Sequence, residues 1–248
     1  MLVAAEGNLQ IAKRFKLIPL GKFIRGVRTM PKANIPEKGA IVQRDMETYL
    51  IHPHIPGGFV EPKLLRKIAD VAEKYGAKYL KLTGAQRIAI IGLQEKDLDN
   101  VWAEFEDRQR AIGLTVRSIQ ICPGTRSCKK AKQDSPGLGF ALDKEFYGKP
   151  APAKFKMGIS GCSNCCSDSW MKDLGFFGTD EGFTAVAGGK GGGTAKVGRE
   201  IATGLTEAQA IALARKVIAF YRENGKAPER LGGTIERVGF ENFKKAVL

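Results

Sequence analysis

The chain holds five cysteines, and four of them fall into two spaced pairs. Cys122-Pro-Gly-Thr-Arg-Ser-Cys128 is a C-x5-C, and Cys162-Ser-Asn-Cys165-Cys166 contains a C-x3-C. An odd number of thiols in a chain large enough to bury its own core argues against a disulfide framework and for thiolate ligation of metal. Structural zinc favours knuckles of two to four intervening residues, and C-x5-C is more open than that, so the spacing favours an iron–sulfur cluster over zinc or a purely structural set of thiols. The second group able to do chemistry is basic. Lys154 and Lys156 lie two apart on an expected strand and so point to one face, which would attract an anion. His52 and His54, also two apart, are candidate proton donors near neutral pH.

These residues need elements to hold them. Thr48–Ile55 reads as a strand ended by Pro56-Gly57-Gly58, and the apolar positions of Glu61–Tyr75 fall on one helical face. Lys78–Thr83 and Arg87–Leu93 read as strands, Glu95–Ile112 as a second amphipathic helix, and Thr115–Ile121 as a further strand. This βαββαβ order predicts an α+β protein with a ferredoxin-like domain over residues 48–121. A basic extension occupies residues 1–47. The cysteine-bearing domain, residues 122–248, is expected to carry a helix over Arg126–Lys132, a strand over Lys154–Ile159 and a helix starting near Asn164. Two apolar runs follow, Leu174–Gly178 and Gly182–Val186, then the glycine-rich loop Gly188–Gly193 and a long helix from Thr206 to Asn224. Each cysteine pair thus sits at a strand–helix junction.

At the cysteines the sequence resembles the siroheme-containing sulfite and nitrite reductases, whose signature is C-x5-C followed by C-x3-C. The resemblance runs from about Thr48 to the C-terminus, through Pro56-Gly57-Gly58, Leu82-Thr83-Gly84-Ala85-Gln86, Lys154-Phe155-Lys156, Gly188-Gly189-Lys190 and Glu229-Arg230-Leu231-Gly232. It implies that Cys122, Cys128, Cys162 and Cys166 hold a 4Fe-4S cluster, with Cys166 bridging to the siroheme iron, and that Cys165 is an extra, non-ligating thiol. It implies further cofactor contacts from Thr83, Gln86, Arg117, Gly189 and Lys190, and a sulfite-binding role for Lys154, Lys156 and Arg117. Two departures stand out: His52 and His54 occupy the segment where the family places an arginine, and Ala85 stands where many members have one.

Forty Lys and Arg against 26 Asp and Glu leave a net charge of +14. Siroheme, with eight carboxylates, gives that excess a use and makes nucleic acid an unnecessary partner. No apolar run approaches the ~20 residues of a bilayer span, and no signal-like start is present, so a cytoplasmic protein is expected. With no flavin or nicotinamide fingerprint, electrons are expected from a separate donor protein. A single copy of a unit that larger relatives carry twice predicts a homo-oligomer or an additional subunit. The expected reaction is reduction of sulfite to sulfide, with nitrite to ammonia as the alternative; a cluster-only electron carrier or redox sensor and a zinc-bound RNA-binding protein are the rivals.

Overall fold

The computed structural model describes residues 32–106 and 112–248. Most of the basic extension and the last part of the expected Glu95–Ile112 helix therefore lie outside the described residues. The first layer is a four-stranded sheet in the order β1-β2-β4-β3, built from β1 (Ile41–Val42), β2 (Tyr49–Ile51), β3 (Tyr79–Leu82) and β4 (Ile88–Leu93). Helices α1 (Pro62–Lys74) and α2 (Leu98–Glu104) enclose its core. Ile51, Ile68, Ile90, Leu98 and Trp102 meet there, almost fully buried. All six residues of β4 are buried, as expected of a central strand.

The second sheet runs β5-β6-β7-β8-β9: β5 (Gln120–Ile121), β6 (Met157–Ser160), β7 (Leu174–Thr179), β8 (Gly182–Ala187) and β9 (Arg199–Leu205). The first two pairings are parallel and the last two antiparallel. Its core includes Phe155, Phe176, Val217, Tyr221 and Phe243, drawn from the sheet and from helices that include α4 (Glu207–Asn224) and α6 (Phe240–Val247). Also present are α3 (Ser135–Phe146) and α5 (Leu231–Val238). A capping box at Thr206, with Gln209 as its reciprocal partner, fixes the start of α4 as the sequence expects.

Four local expectations are corrected. The strand expected over Thr48–Ile55 stops at Ile51, because Pro53 and Pro56 have no N–H to give a ladder and Pro56–Gly58 forms a 3-10 turn. The strand expected over Thr115–Ile121 is cut to Gln120–Ile121 and joins the second sheet, pairing with β6, while β1 takes the edge beside β2. No helix forms over Arg126–Lys132: Lys132 and Gln133 turn their N–H groups to Gly161 O, at 2.7 and 3.1 Å, instead of continuing a spiral. Nor does a helix start at Asn164. Residues 162–168 are two successive turns, with Cys165 N–H on Cys162 O and Asp168 N–H on Cys165 O.

Candidate active site

The cysteine loops are pressed together by backbone. Cys122 N–H donates to Ile159 O at 3.0 Å, and Gly161 N–H donates to Cys122 Sγ at the same distance. A Cβ on Gly161 would stand 2.9 Å from Gly124 Cα and 3.0 Å from Ala131 Cβ, so only glycine allows this approach. Cys165 and Asp168 adopt left-handed backbone, φ 50° and 51°, which costs ordinary residues energy and here folds Cys162 and Cys166 into one short loop. All five cysteines are free thiols. Cys122 is buried, Cys128, Cys162 and Cys165 are half-buried, and Cys166 faces outward.

The cations are brought together by one parallel bridge. Val116 pairs with Phe155, Arg117 N–H donates to Phe155 O at 2.8 Å, and both apolar side chains are buried. Residues flanking a bridged pair point to the opposite face, so Arg117, Lys154 and Lys156 share the face away from the core. Lys154 and Lys156 are exposed around buried Phe155. Partial burial of its ammonium end lowers the Lys156 pKa, and the charges of Arg230, Lys172 and Lys154 lower it further. Burial, then Arg87, lowers Arg117 as well. Like charges crowded in this way attract an anion.

His52 belongs to this group. Burial and then the charges of Arg87 and Arg117 hold its pKa down at about 4. His52 Nδ1 and Arg87 Nε are buried with no hydrogen-bond partner among the described residues. His54 is engaged differently: its Nε2 is 2.6 Å from Asp143 Oδ2, and its ring stacks on Tyr147 at 3.6 Å. Because β2 ends at Ile51, the two histidines do not share a strand face as expected.

Gln86 is also placed otherwise than expected. Its amide donates to Ile121 O at 3.0 Å and accepts from Ile121 N–H at 2.8 Å, which ties the β3–β4 turn to β5. Thr83 closes that turn, its hydroxyl donating to Arg87 O and accepting from Arg87 N–H. Gly189 lies against the backbone of Trp170 and Lys172, where a Cβ would fall 2.1 Å from Trp170 O. Lys190 exchanges backbone hydrogen bonds with Lys196.

Sequence reasoning passed over Arg87, Lys172, Asp173 and Arg230. Asp173 is fully buried; it accepts from Lys156 N–H at 2.7 Å and pairs with the Arg230 guanidinium, so it fixes the backbone under Lys156. Arg87 was visible one residue after the Thr-Gly-Ala-Gln run, and Arg230 stood inside a quoted motif. Asp173 gave no signal, since only the fold reveals that it is buried.

The residues fit the two groups that the resemblance implies. The glycine-tight junction packs the Cys122 loop against Gly161, the residue before Cys162, and offers an N–H to sulfur, as an iron–sulfur cluster needs. Outward-facing Cys166, the orphaned donors of His52 and Arg87, and the shared cations suit a polycarboxylate cofactor with room left for an anion.

Two family models cover most of the chain. "Nitrite and sulphite reductase 4Fe-4S domain" matches residues 112–248, and "Nitrite/Sulfite reductase ferredoxin-like half domain" matches residues 41–108. The chain is 40% identical to "Sulfite reductase, assimilatory-type" of Nitratidesulfovibrio vulgaris, over 85% of this chain and 97% of that protein. It is 37% identical to "Nitrite reductase [NAD(P)H]" of Bacillus subtilis, over 84% of this chain but only 26% of that larger protein. Among solved structures it superposes on dissimilatory sulfite reductase I with a TM-score of 0.74 at 17% identity, covering 81% of this chain and 69% of that one. It superposes on the Mycobacterium tuberculosis NirA protein with a TM-score of 0.73 at 16% identity, over 81% and 39%. At those identities the structures speak for the fold alone.

Proposed function

The chain belongs to the nitrite and sulphite reductase family, an oxidoreductase family with siroheme and a 4Fe-4S cluster, and we propose that it reduces sulfite to sulfide with electrons from a separate protein. The observation that carries this reading is the shared cationic face of Arg117, Lys154 and Lys156, joined by Arg87, in a chain that spans almost the whole length of an assimilatory-type sulfite reductase.

Cys122, Cys128, Cys162 and Cys166 would hold the cluster, and Cys166 would also meet the siroheme iron. Arg117, Thr83, Gly189 and Lys190 would meet siroheme, and His52 would donate to a carboxylate or to substrate. Siroheme and cluster, when bound, supply the redox centre and the electrons that enter the substrate one at a time.

The protein's own groups do the rest. Sulfite is bound by Lys154, Lys156, Arg87 and Arg117, whose charges answer the negative oxygens in a partly desolvated face. Each oxygen leaves as water, so protons must arrive with the electrons. Lys156 is suited to give them, because burial and neighbouring cations make its ammonium a stronger acid than an ordinary lysine. Asp173 and Arg230 keep Lys156 in register through its backbone N–H. Tied to Asp143, His54 supports this face from beneath Tyr147 and gives no proton to substrate.

Nitrite reduction to ammonia is the second reading, favoured by the 37% identity to the Bacillus subtilis enzyme. The test is steady-state reduction of each anion by the cofactor-loaded protein with reduced methyl viologen. Sulfite should give the larger kcat/KM, with sulfide as product. A larger value for nitrite would replace the first reading with the second.

A further inference from the structure

Between the substrate lysines and the loop of Cys162 and Cys166 lies a buried cation to which the proposed chemistry gives no task. Lys172 immediately precedes Asp173, and its side chain is only 7% exposed. Gly158 follows Lys156 by two along the strand, between core residues Met157 and Ile159, and so opens on the face of the lysines. A Cβ on Gly158 would stand 2.9 Å from Lys172 Cγ, 3.0 Å from its Cε and closer still to Ser167 O. The glycine thus makes the room in which the Lys172 stem meets the segment that follows Cys166. That segment is pinned. Ser167 N–H donates to Ser160 Oγ at 3.1 Å, Ser169 Oγ donates to Phe176 O at 2.8 Å, and Lys172 Nζ donates to Asp168 Oδ2 at 3.3 Å. The ion pair is lopsided, because the Asp168 side chain is 63% exposed and screened by water while the ammonium is held inside. Burial lowers the Lys172 pKa, and the charges of Asp168 and Asp173 oppose that shift. Ser167 adds a buried hydroxyl with no hydrogen-bond partner among the described residues, a second donor left on the residue after Cys166.

Resting on the reading that Cys166 is a cluster ligand, we propose that Lys172 tunes the redox centre: its fixed positive charge, held beside the segment after Cys166, stabilises the reduced cluster and makes electron uptake easier. Each electron taken up adds one negative charge to the bound cluster, with no bond made or broken. A cation at a fixed place in a poorly screening interior lowers the energy of that more negative state. Burying a cation costs folding energy that a solvated lysine would not, so its placement here calls for a use. The competing role is mechanical, a clip from Lys172 to Asp168 that only shapes the loop. The two roles differ in sign. Loss of either partner breaks a clip, whereas removing the cation and removing the carboxylate change the local charge in opposite directions.

The test is potentiometric titration of the cofactor-loaded protein with dithionite, with the midpoint of the bound cluster read by electron paramagnetic resonance. Lys172→Met keeps the stem over Gly158 and removes the charge. Its cluster should be about ten-fold harder to reduce, which is about 59 mV lower for a one-electron centre. Lys172→Arg, which restores the charge, should stay close to wild type. Asp168→Asn should move the midpoint up. Asparagine tolerates the left-handed backbone of residue 168, and the side chain is mostly exposed, so this variant serves if Lys172→Met fails to fold. Shifts of one sign in Lys172→Met and Asp168→Asn would mean a clip and overturn the proposal, as would unchanged midpoints in variants with full iron and sulfide. A wild-type protein that takes up no cluster on reconstitution would instead defeat the ligand reading, and the proposal with it.

Discussion

Cys165 and Cys166 are neighbours with opposite expected fates, and that contrast tests the ligand set. Cys165 is half-buried, its thiol pushed up chiefly by burial, and it occupies the left-handed corner of the loop; Cys166 faces outward at the C-x3-C interval. Serine at Cys122, Cys128, Cys162 or Cys166 should strip iron and acid-labile sulfide from the purified protein, whereas Cys165→Ser should keep both at wild-type level. Cluster loss in Cys165→Ser with retention in Cys166→Ser would reverse the assignment. The anion face is tested by Lys156→Met, which keeps the stem and removes the charge. A charge-assisted contact is worth ~1.5–3 kcal/mol, so kcat/KM for sulfite should fall roughly 10- to 150-fold with iron content unchanged. Arg87→Met should behave alike. Wild type should also lose activity as pH rises at a lower pH than an ordinary lysine would dictate, because deprotonation removes the cation and the Lys156 pKa is depressed. In Lys156→Arg that alkaline loss should move up, and a profile that does not move would mean another group titrates. That Lys154 and Lys156 share a face was legible in their alternation about Phe155, which holds at a single bridge although the strand expected from Lys154 starts only at Met157. Arg87 carries no motif of its own beside the Ala85 that stands in place of an arginine, and Asp173 gives no signal because burial is a property of the fold and not of a residue type.

Strong periodicity carried at the level of elements. Pro62–Lys74 and Glu207–Asn224 match the helices expected over Glu61–Tyr75 and Thr206–Asn224 almost to the residue, since each has apolar positions at helical spacing. Ser135–Phe146 was not seen, because Pro136, Gly137 and Gly139 hide a helix whose glycine is needed: a Cβ on Gly139 would stand 2.5 Å from Ile121 Cδ1. The false helices at Arg126–Lys132 and Asn164 share a cause, since backbone donors there are taken by the facing loop, and such long-range partners leave no local pattern. Gln86 makes the same point about connection. Its amide imitates a strand neighbour for Ile121, the residue before Cys122, and so links the first sheet to the cysteine loop. Gln86→Ala leaves both backbone groups of Ile121 unpaired. At ~1–3 kcal/mol for each buried group, the variant should unfold at least several degrees below wild type, read by circular dichroism, and release iron faster on dilution. Substitution by Glu keeps one acceptor and should recover part of the loss. Wild-type melting in Gln86→Ala would mean that the tie contributes nothing to joining the two sheets.

At the scale of the whole molecule, the charge balance couples cofactor to stability. The net +14 is not spread evenly, for Arg87, Arg117, Lys154, Lys156, Lys172 and Arg230 lie close enough to depress one another's pKa values or that of a shared neighbour. In that set Lys172 pairs with Asp168 and Arg230 with Asp173. Without an anion, folding has to hold Lys154 and Lys156 beside the other cations against their repulsion; siroheme carboxylates would remove that cost and bind the folded state alone. Protein produced without siroheme should therefore melt below the loaded form, and its stability should depend on salt in a particular direction. Raising ionic strength from about 0.01 M to 0.15 M shortens the screening length from about 30 Å to about 8 Å, which weakens repulsion among groups at the surface of the site. The siroheme-free protein should gain on the order of 1 kcal/mol, or about 2–4 °C in Tm for a chain of this size, and sulfate should act more strongly than chloride at equal ionic strength because it can occupy the anion site. The loaded protein should respond weakly, its cations being neutralised already. Lys156→Met in the siroheme-free form should raise Tm at low salt while lowering activity in the loaded form. A siroheme-free protein whose Tm is indifferent to salt, or a Lys156→Met variant that destabilises it, would show that these cations are too well solvated to repel one another and that the link from charge to cofactor is absent.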